Sequence, residues 1–132
     1  MNELKKGIND LAISNVDLMN AIGNRFSYIE DNSDTLTFPY TVFSFQPLLR
    51  SRTSGNRFSD VVLQFSTFDD SLSSELSGQI SDLIAETFDD CESKIKISNA
   101  LVLSFKHSMK REFKANGLWN SIIQYRVKLQ LI

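Results

Sequence analysis

The sequence holds one cysteine, one histidine, one tryptophan and two prolines. A lone Cys91 excludes an intrachain disulfide and any cysteine-rich metal site, and it suits a reducing cytosol. Asp89, Asp90 and Glu92 flank it, and their like charge opposes ionisation of the thiol, so it reads as an incidental residue near a helix end and not as a nucleophile. With His107 as the sole imidazole, neither a zinc site of ordinary ligand spacing nor a serine triad with a marked nucleophile can be assembled. Gly7, Gly23, Gly55, Gly78 and Gly117 are scattered and make no phosphate-cradling loop. No apolar run approaches the roughly 20 residues of a membrane-crossing helix, and the opening Met-Asn-Glu-Leu-Lys-Lys resembles neither a signal peptide nor an anchor. Asp69-Asp70 and Asp89-Asp90 are acid pairs of the kind that bind a divalent ion, yet at helix ends such pairs act as caps or solvated faces. The expectation is a non-enzymatic protein made in the cytoplasm, with no metal, no cofactor and no membrane partner.

What is present is a soluble composition, 42% hydrophobic and 23% charged, in a chain of single-domain length, so one domain over residues 1–132 is expected. The net charge of −2 conceals an asymmetry. Residues 93–132 contain eight Lys or Arg against the single acid Glu112, whereas residues 1–92 contain six bases against fifteen acids. A chain split in this way can present one acidic and one basic surface, which suits head-to-tail association of identical subunits.

Leu4, Ile8, Leu11 and Ala12 fall at helical spacing, and Val16, Leu18, Met19 and Ile22 run to a stop at Gly23-Asn24. A polar loop at residues 30–34 then separates helix from sheet. Phe38–Gln46 and Phe58–Phe68 read as strands around a turn at Ser54-Gly55-Asn56. Asp69, Asp70 and Ser71 are placed to cap a helix that carries Leu72, Leu76, Ile80, Leu83, Ile84 and Phe88. The opposite face of that helix bears Glu75, Asp82, Glu86 and Asp89 as an acidic stripe. Leu101, Leu103, Phe105 and Met109 then line one face of a strand, with His107 in phase and Val102, Ser104, Lys106, Ser108 and Lys110 on the other. Asn116-Gly117 turns the chain into a closing strand in which Ile123, Tyr125, Val127, Leu129 and Leu131 alternate with Gln124, Arg126, Lys128 and Gln130. The pattern predicts an α+β two-layer sandwich: a mainly antiparallel sheet of about four strands, hairpin-helix-hairpin, with an N-terminal and a central helix on one face.

Two basic hairpin tips remain, Arg50, Arg52 and Arg57 in the first and Lys106, Lys110, Arg111 and Lys114 beside the second. The aromatics sit mostly at core-facing strand positions and do not interleave with these bases, which argues against a single-strand stacking platform and leaves a solvated loop or contact with a subunit or partner. Candidate interface residues are therefore Arg50, Arg52, Arg57, Asp69, Asp70, Glu75, Asp82, Glu86, Asp89, Lys110, Arg111 and Lys114.

The succession helix, "FPYTVFSF", hairpin, "RFSDVVLQFSTFDDS", helix, hairpin and "YRVKLQLI" resembles the tail completion, or tail terminator, family of long-tailed phages. The likeness spans nearly the whole chain as a pattern of elements and hydrophobic positions. It implies a structural virion protein at the tail-neck junction: a ring, typically of six, that caps the tail tube, ends its polymerisation and joins it to the head connector. The implied partners are other copies of the chain, the tail tube protein and the head-completion protein, with genomic DNA passing through the ring unread. Two other readings follow from the residues, a small adaptor or chaperone-like module and, behind it, a metal-dependent nuclease built on the acid pairs.

Overall fold

The computed structural model describes residues 2–31, 37–47, 58–98 and 100–131. Two helices open the chain, α1 (Asn2–Ser14) and α2 (Val16–Ile22), and a third, α3 (Glu75–Phe88), lies between the second and third long strands. The strands are β1 (Phe26–Tyr28), β2 (Tyr40–Pro47), β3 (Phe58–Asp69), β4 (Ala100–Ala115) and β5 (Leu118–Leu131). They form one sheet in the order β1-β2-β3-β5-β4, antiparallel throughout except for the parallel β1–β2 pair. The α+β architecture with helices on one face is as the periodicity predicts, and β1 is a fifth strand that it did not show.

The α1 stripe buries Leu4, Ile8 and Ala12, and α2 buries Leu18, Met19 and Ile22. The junction between them is built from local polar chemistry. Asn15 caps α2 by accepting the Leu18 N–H at 3.1 Å, while its own side-chain amide donates to Thr87 Oγ1 on α3 at 2.7 Å. At the far end Gly23 takes φ +58°, a left-handed conformation that glycine adopts without a Cβ penalty, and the Asn24 N–H closes onto the Met19 carbonyl at 2.9 Å. Arg25 then latches β1 to the start of β2, donating from Nε to the Pro39 carbonyl at 2.8 Å and from Nη2 to that of Phe38 at 3.2 Å.

One hydrophobic cluster joins helices and sheet. Its centre is aromatic: the Phe65 ring lies 4.5 Å from Phe88 of α3 and 6.0 Å from Tyr125, and Tyr125 lies 5.0 Å from Phe105. Phe88, Phe65, Tyr125 and Phe105 are all fully buried, and burial of each ring contributes on the order of 2 kcal/mol or more. α3 approaches the sheet on small residues. Ser81 Oγ meets Ser121 Oγ of β5, and Ser77 Oγ reaches Glu112 Oε1 of β4 at 2.9 Å.

Three local expectations are corrected. α3 starts at Glu75 with Ser74 at its N-cap position, and Ser74 makes no side-chain capping bond; Leu72 precedes the helix and stands 96% exposed. Asp69 is not a cap: it ends β3 in the inward phase of Val61, Leu63 and Phe65 and is itself buried. The third correction concerns β4, where register shifts between Val102 and Ser104 and between His107 and Met109 each add a residue and reverse the side-chain alternation. Ala100, Val102 and Phe105 consequently sit opposite the inward residues of β5 or its end, while Leu101 and Leu103 are exposed and Met109 lies opposite Gln124 on the outer face. The expected apolar set Leu101, Leu103, Phe105 and Met109 is therefore divided between the two faces.

Candidate assembly surfaces

Because β4 runs along the edge of the sheet beneath α3, its bases reach the acids of the helical layer within the same chain. Lys110 Nζ lies 3.5 Å from Asp82 Oδ1, and Lys106 Nζ donates to Asp90 Oδ1 at 2.8 Å. The Lys106–Asp90 hydrogen bond raises the lysine pKa and favours the ammonium form. Asp89 accepts the Tyr125 hydroxyl at 2.6 Å, and burial followed by this bond raises the phenol pKa. The acidic stripe predicted along α3 exists, with Glu75, Asp82, Glu86 and Asp89 all exposed, but Asp82 and Asp89 already have partners in their own chain.

Asp69 does not belong to this surface. Its side chain is 1% exposed, with Oδ1 accepting the Ser71 hydroxyl at 3.0 Å, so it cannot meet a neighbouring subunit as expected of it. Asp70 is exposed next to it. Arg111 and Lys114 are exposed near the β4–β5 turn, Arg111 over the Phe113 ring at 5.0 Å and Lys114 over the Trp119 ring at 5.8 Å. Arg50, Arg52 and Arg57 lie outside the described residues.

The outer face of the sheet, turned away from the helices, was not singled out from the sequence as an assembly surface. Cross-strand rows order it. Phe58, Gln130 and Leu101 make one row; Asp60, Lys128 and Ser104 the next; Val62, Arg126 and Lys106 the third; Ser66, Ile122 and Arg111 lie two rows further on. Four bases and one acid thus occupy the β3-β5-β4 part of this face. Among the described residues Arg111, Arg126 and Lys128 form no salt bridge. At the far end Tyr40 stacks on Phe68 at 5.1 Å and lies tilted against Phe38 at 5.5 Å. The sequence signal was the even-numbered side of β5, where Arg126 and Lys128 alternate with the core.

Of the two reactive residue types only Cys91 is placed for packing, whereas His107, expected in phase with the packed face, is exposed. Cys91 is fully buried, and burial above all, with the charges of Glu92 and Asp89 adding to it, pushes its thiol up to about 12. The neighbouring acids, visible in the sequence, are the smaller cause and desolvation the larger. His107 is exposed beside the Tyr125 ring at 5.7 Å. Among the described residues no three His, Cys, Asp or Glu side chains lie together in a group fit to hold a metal ion, and no helix is long and apolar enough to cross a membrane. A cleft of about 370 Å³ opens between α1 and β1, lined by Asn9, Phe26, Tyr28 and Phe43, with Lys5 at its mouth paired to Asp31 and lying 4.8 Å over the Tyr28 ring.

The assembled layers can be matched to a known structure. A chain from the virion of a native gene transfer agent particle has this fold. The two superpose with a TM-score of 0.86 over 98% of this chain and 96% of the other, at 7% sequence identity. No protein-family model matches the sequence, and no curated protein matches it. At that identity the likeness is one of fold, and it runs over almost the full length of both chains.

Proposed function

We propose that the chain is a non-enzymatic structural virion protein that caps the tail tube as a ring, ends its polymerisation and joins it to the head connector. The observation that carries this reading is the fold shared, end to end, with a chain of a gene transfer agent virion. The sequence pattern of the tail completion family points the same way, and the distribution of charge supports the ring. A closed ring requires each subunit to offer two different surfaces, and this subunit has an acidic helical layer and a basic sheet face. The proposed partners are other copies, most simply six, the tail tube protein and the head-completion protein, with DNA passing through the lumen without base contacts. The proposed location is the tail-neck junction of the virion.

The test is assembly of tail tubes from their purified subunit with and without this protein. The reading expects a single ring density at one tube end in electron micrographs and arrest of further tube growth. Tubes that keep elongating with bare ends in excess protein would overturn it.

A further inference from the structure

We propose that the outer face of the sheet is the docking surface for the helical layer of a second copy of the chain. The inference deepens the ring reading, on which it rests only in requiring that copies meet; it does not require that they cap a tube. All three helices pack on one side of the sheet, so the two layers place their charges on opposite sides of the domain. On the helical side α2 and α3 contribute Asp17, Glu75, Asp82 and Glu86 and not one base. On the sheet side Lys106, Arg111, Arg126 and Lys128 outnumber Asp60, and no described helix covers them.

The intrachain pairs identify which charges are free for a neighbour. Asp82 is engaged by Lys110, and Lys106 by Asp90, both at the β4 edge. Asp17 and Glu86 line one shallow groove between α2 and α3, which Lys94 also lines, so acids outnumber bases there two to one. Arg111, Arg126 and Lys128 remain unpaired among the described residues. Each side also supplies the apolar area that charges alone do not provide. Ile13 and Val16 are 54% and 64% exposed on the helices, and Phe58 and Leu101 are exposed in the sheet row beside Lys128. A contact between opposite faces of identical subunits is heterologous: face meets back, each copy leaves one surface of each kind free, and the array closes wherever the rotation permits. Complementary potentials across such a contact would set its register and exclude face-to-face or back-to-back pairing, where like charges meet.

The experiment is a charge exchange read by light scattering across concentration at low and high salt. One variant carries Arg126→Glu and Lys128→Glu on the sheet, another Asp17→Lys and Glu86→Lys on the helices, each checked by thermal melt for an intact fold. Each variant alone should associate at least about tenfold more weakly than the wild type. An equimolar mixture should regain association, because the reversed sheet of the first variant fits the reversed helices of the second, and the unaltered helices of the first fit the unaltered sheet of the second. Variants that associate like the wild type, a mixture that stays dissociated, or a wild type that is monomeric into the millimolar range would overturn the proposal. So would a sheet variant that associates normally but has lost retention on duplex DNA, which would make the face a nucleic-acid surface. If the exchange pattern holds while tubes stay uncapped, the docking surfaces stand and the tail role falls.

Discussion

Raising the pH from 8 to 10.5 should destabilise the protein through Cys91, and the size of the loss follows from its burial. The thiol is fully enclosed, and its ordinary pKa of 9.0 is pushed up to about 12 in the folded chain. Below pH 9 both folded and unfolded chains hold the proton, so the contribution of the neutral buried thiol is fully present. Between 9 and 12 the unfolded chain releases the proton and the folded chain keeps it, and stability falls by about 1.4 kcal/mol for each pH unit. Over the 1.5 units from pH 9 to 10.5 that is a loss of roughly 2 kcal/mol, to which Tyr125, also buried with a raised pKa, begins to add above its ordinary value of 10.0. Urea unfolding under reducing conditions reads such a loss as a midpoint shift of roughly 1 M. The variant Cys91→Ala lacks the titrating group in both states and should retain most of that 2 kcal/mol across the same interval, whatever its starting stability. If wild type and variant lose the same amount, the thiol is not the buried group described and the reasoning fails. Native Cys91 should also resist a thiol reagent at pH 8 for as long as the protein stays folded, and rapid labelling would refute its enclosure.

Phe105→Ala should cost about 3–5 kcal/mol in chemical denaturation, whereas Leu103→Ser, two residues earlier on the same strand, should stay within about 0.5 kcal/mol. Equal costs would refute the first register shift of β4. Asn15→Ala removes both the α2 cap and the bond to Thr87, and should lower stability by about 1–2 kcal/mol, visible as a fall in melting temperature of several degrees. Tyr125→Phe keeps the ring and deletes the hydrogen bond to exposed Asp89; a loss near 1.5 kcal/mol is expected, and an unchanged urea midpoint would show the bond to be replaceable by water.

The layers were legible in the sequence where one physical signal acted alone. β3 alternates without interruption from Val61 to Asp69 and β5 from Ser121 to Gln130 because both lie inside the sheet, with a buried face and a wetter one. α1 shows its stripe through helical spacing alone, and the bounds of α2 are encoded locally by its caps, Asn15 and Gly23. Elements that depend on distant partners were hidden. β1 is three residues held in the sheet by pairing with β2 and by the Arg25 bonds to Phe38 and Pro39, none of which leaves a periodic mark. Asp69 had a readable signal, its odd number in the phase of Leu63 and Phe65, but as the first acid before a helix it looked like a cap. The acidic stripe was visible as spacing, yet the lysine that meets Asp82 comes from β4, 28 residues later in the chain.

The bulges of β4 connect the fold to the proposed assembly. Without them a strict alternation would keep Lys106, Lys110 and Lys114 on the same face as one another. The shift between His107 and Met109 sends Lys110 and Lys114 to the phase opposite Ile123 and Trp119, the helix side, and leaves Arg111 opposite Ile122 on the outer side. One irregularity thereby divides a run of like charge between two tasks. Lys110 reaches Asp82 of α3 within the chain, while Arg111 joins Arg126 and Lys128 on the open sheet. Bulges at a sheet edge also increase local twist and interrupt the row of free backbone groups that a flat edge strand would offer for pairing with another chain. The bulges thus disfavour strand addition along the β4 edge, in keeping with the proposed contact through the faces of the two layers, where the charges are complementary.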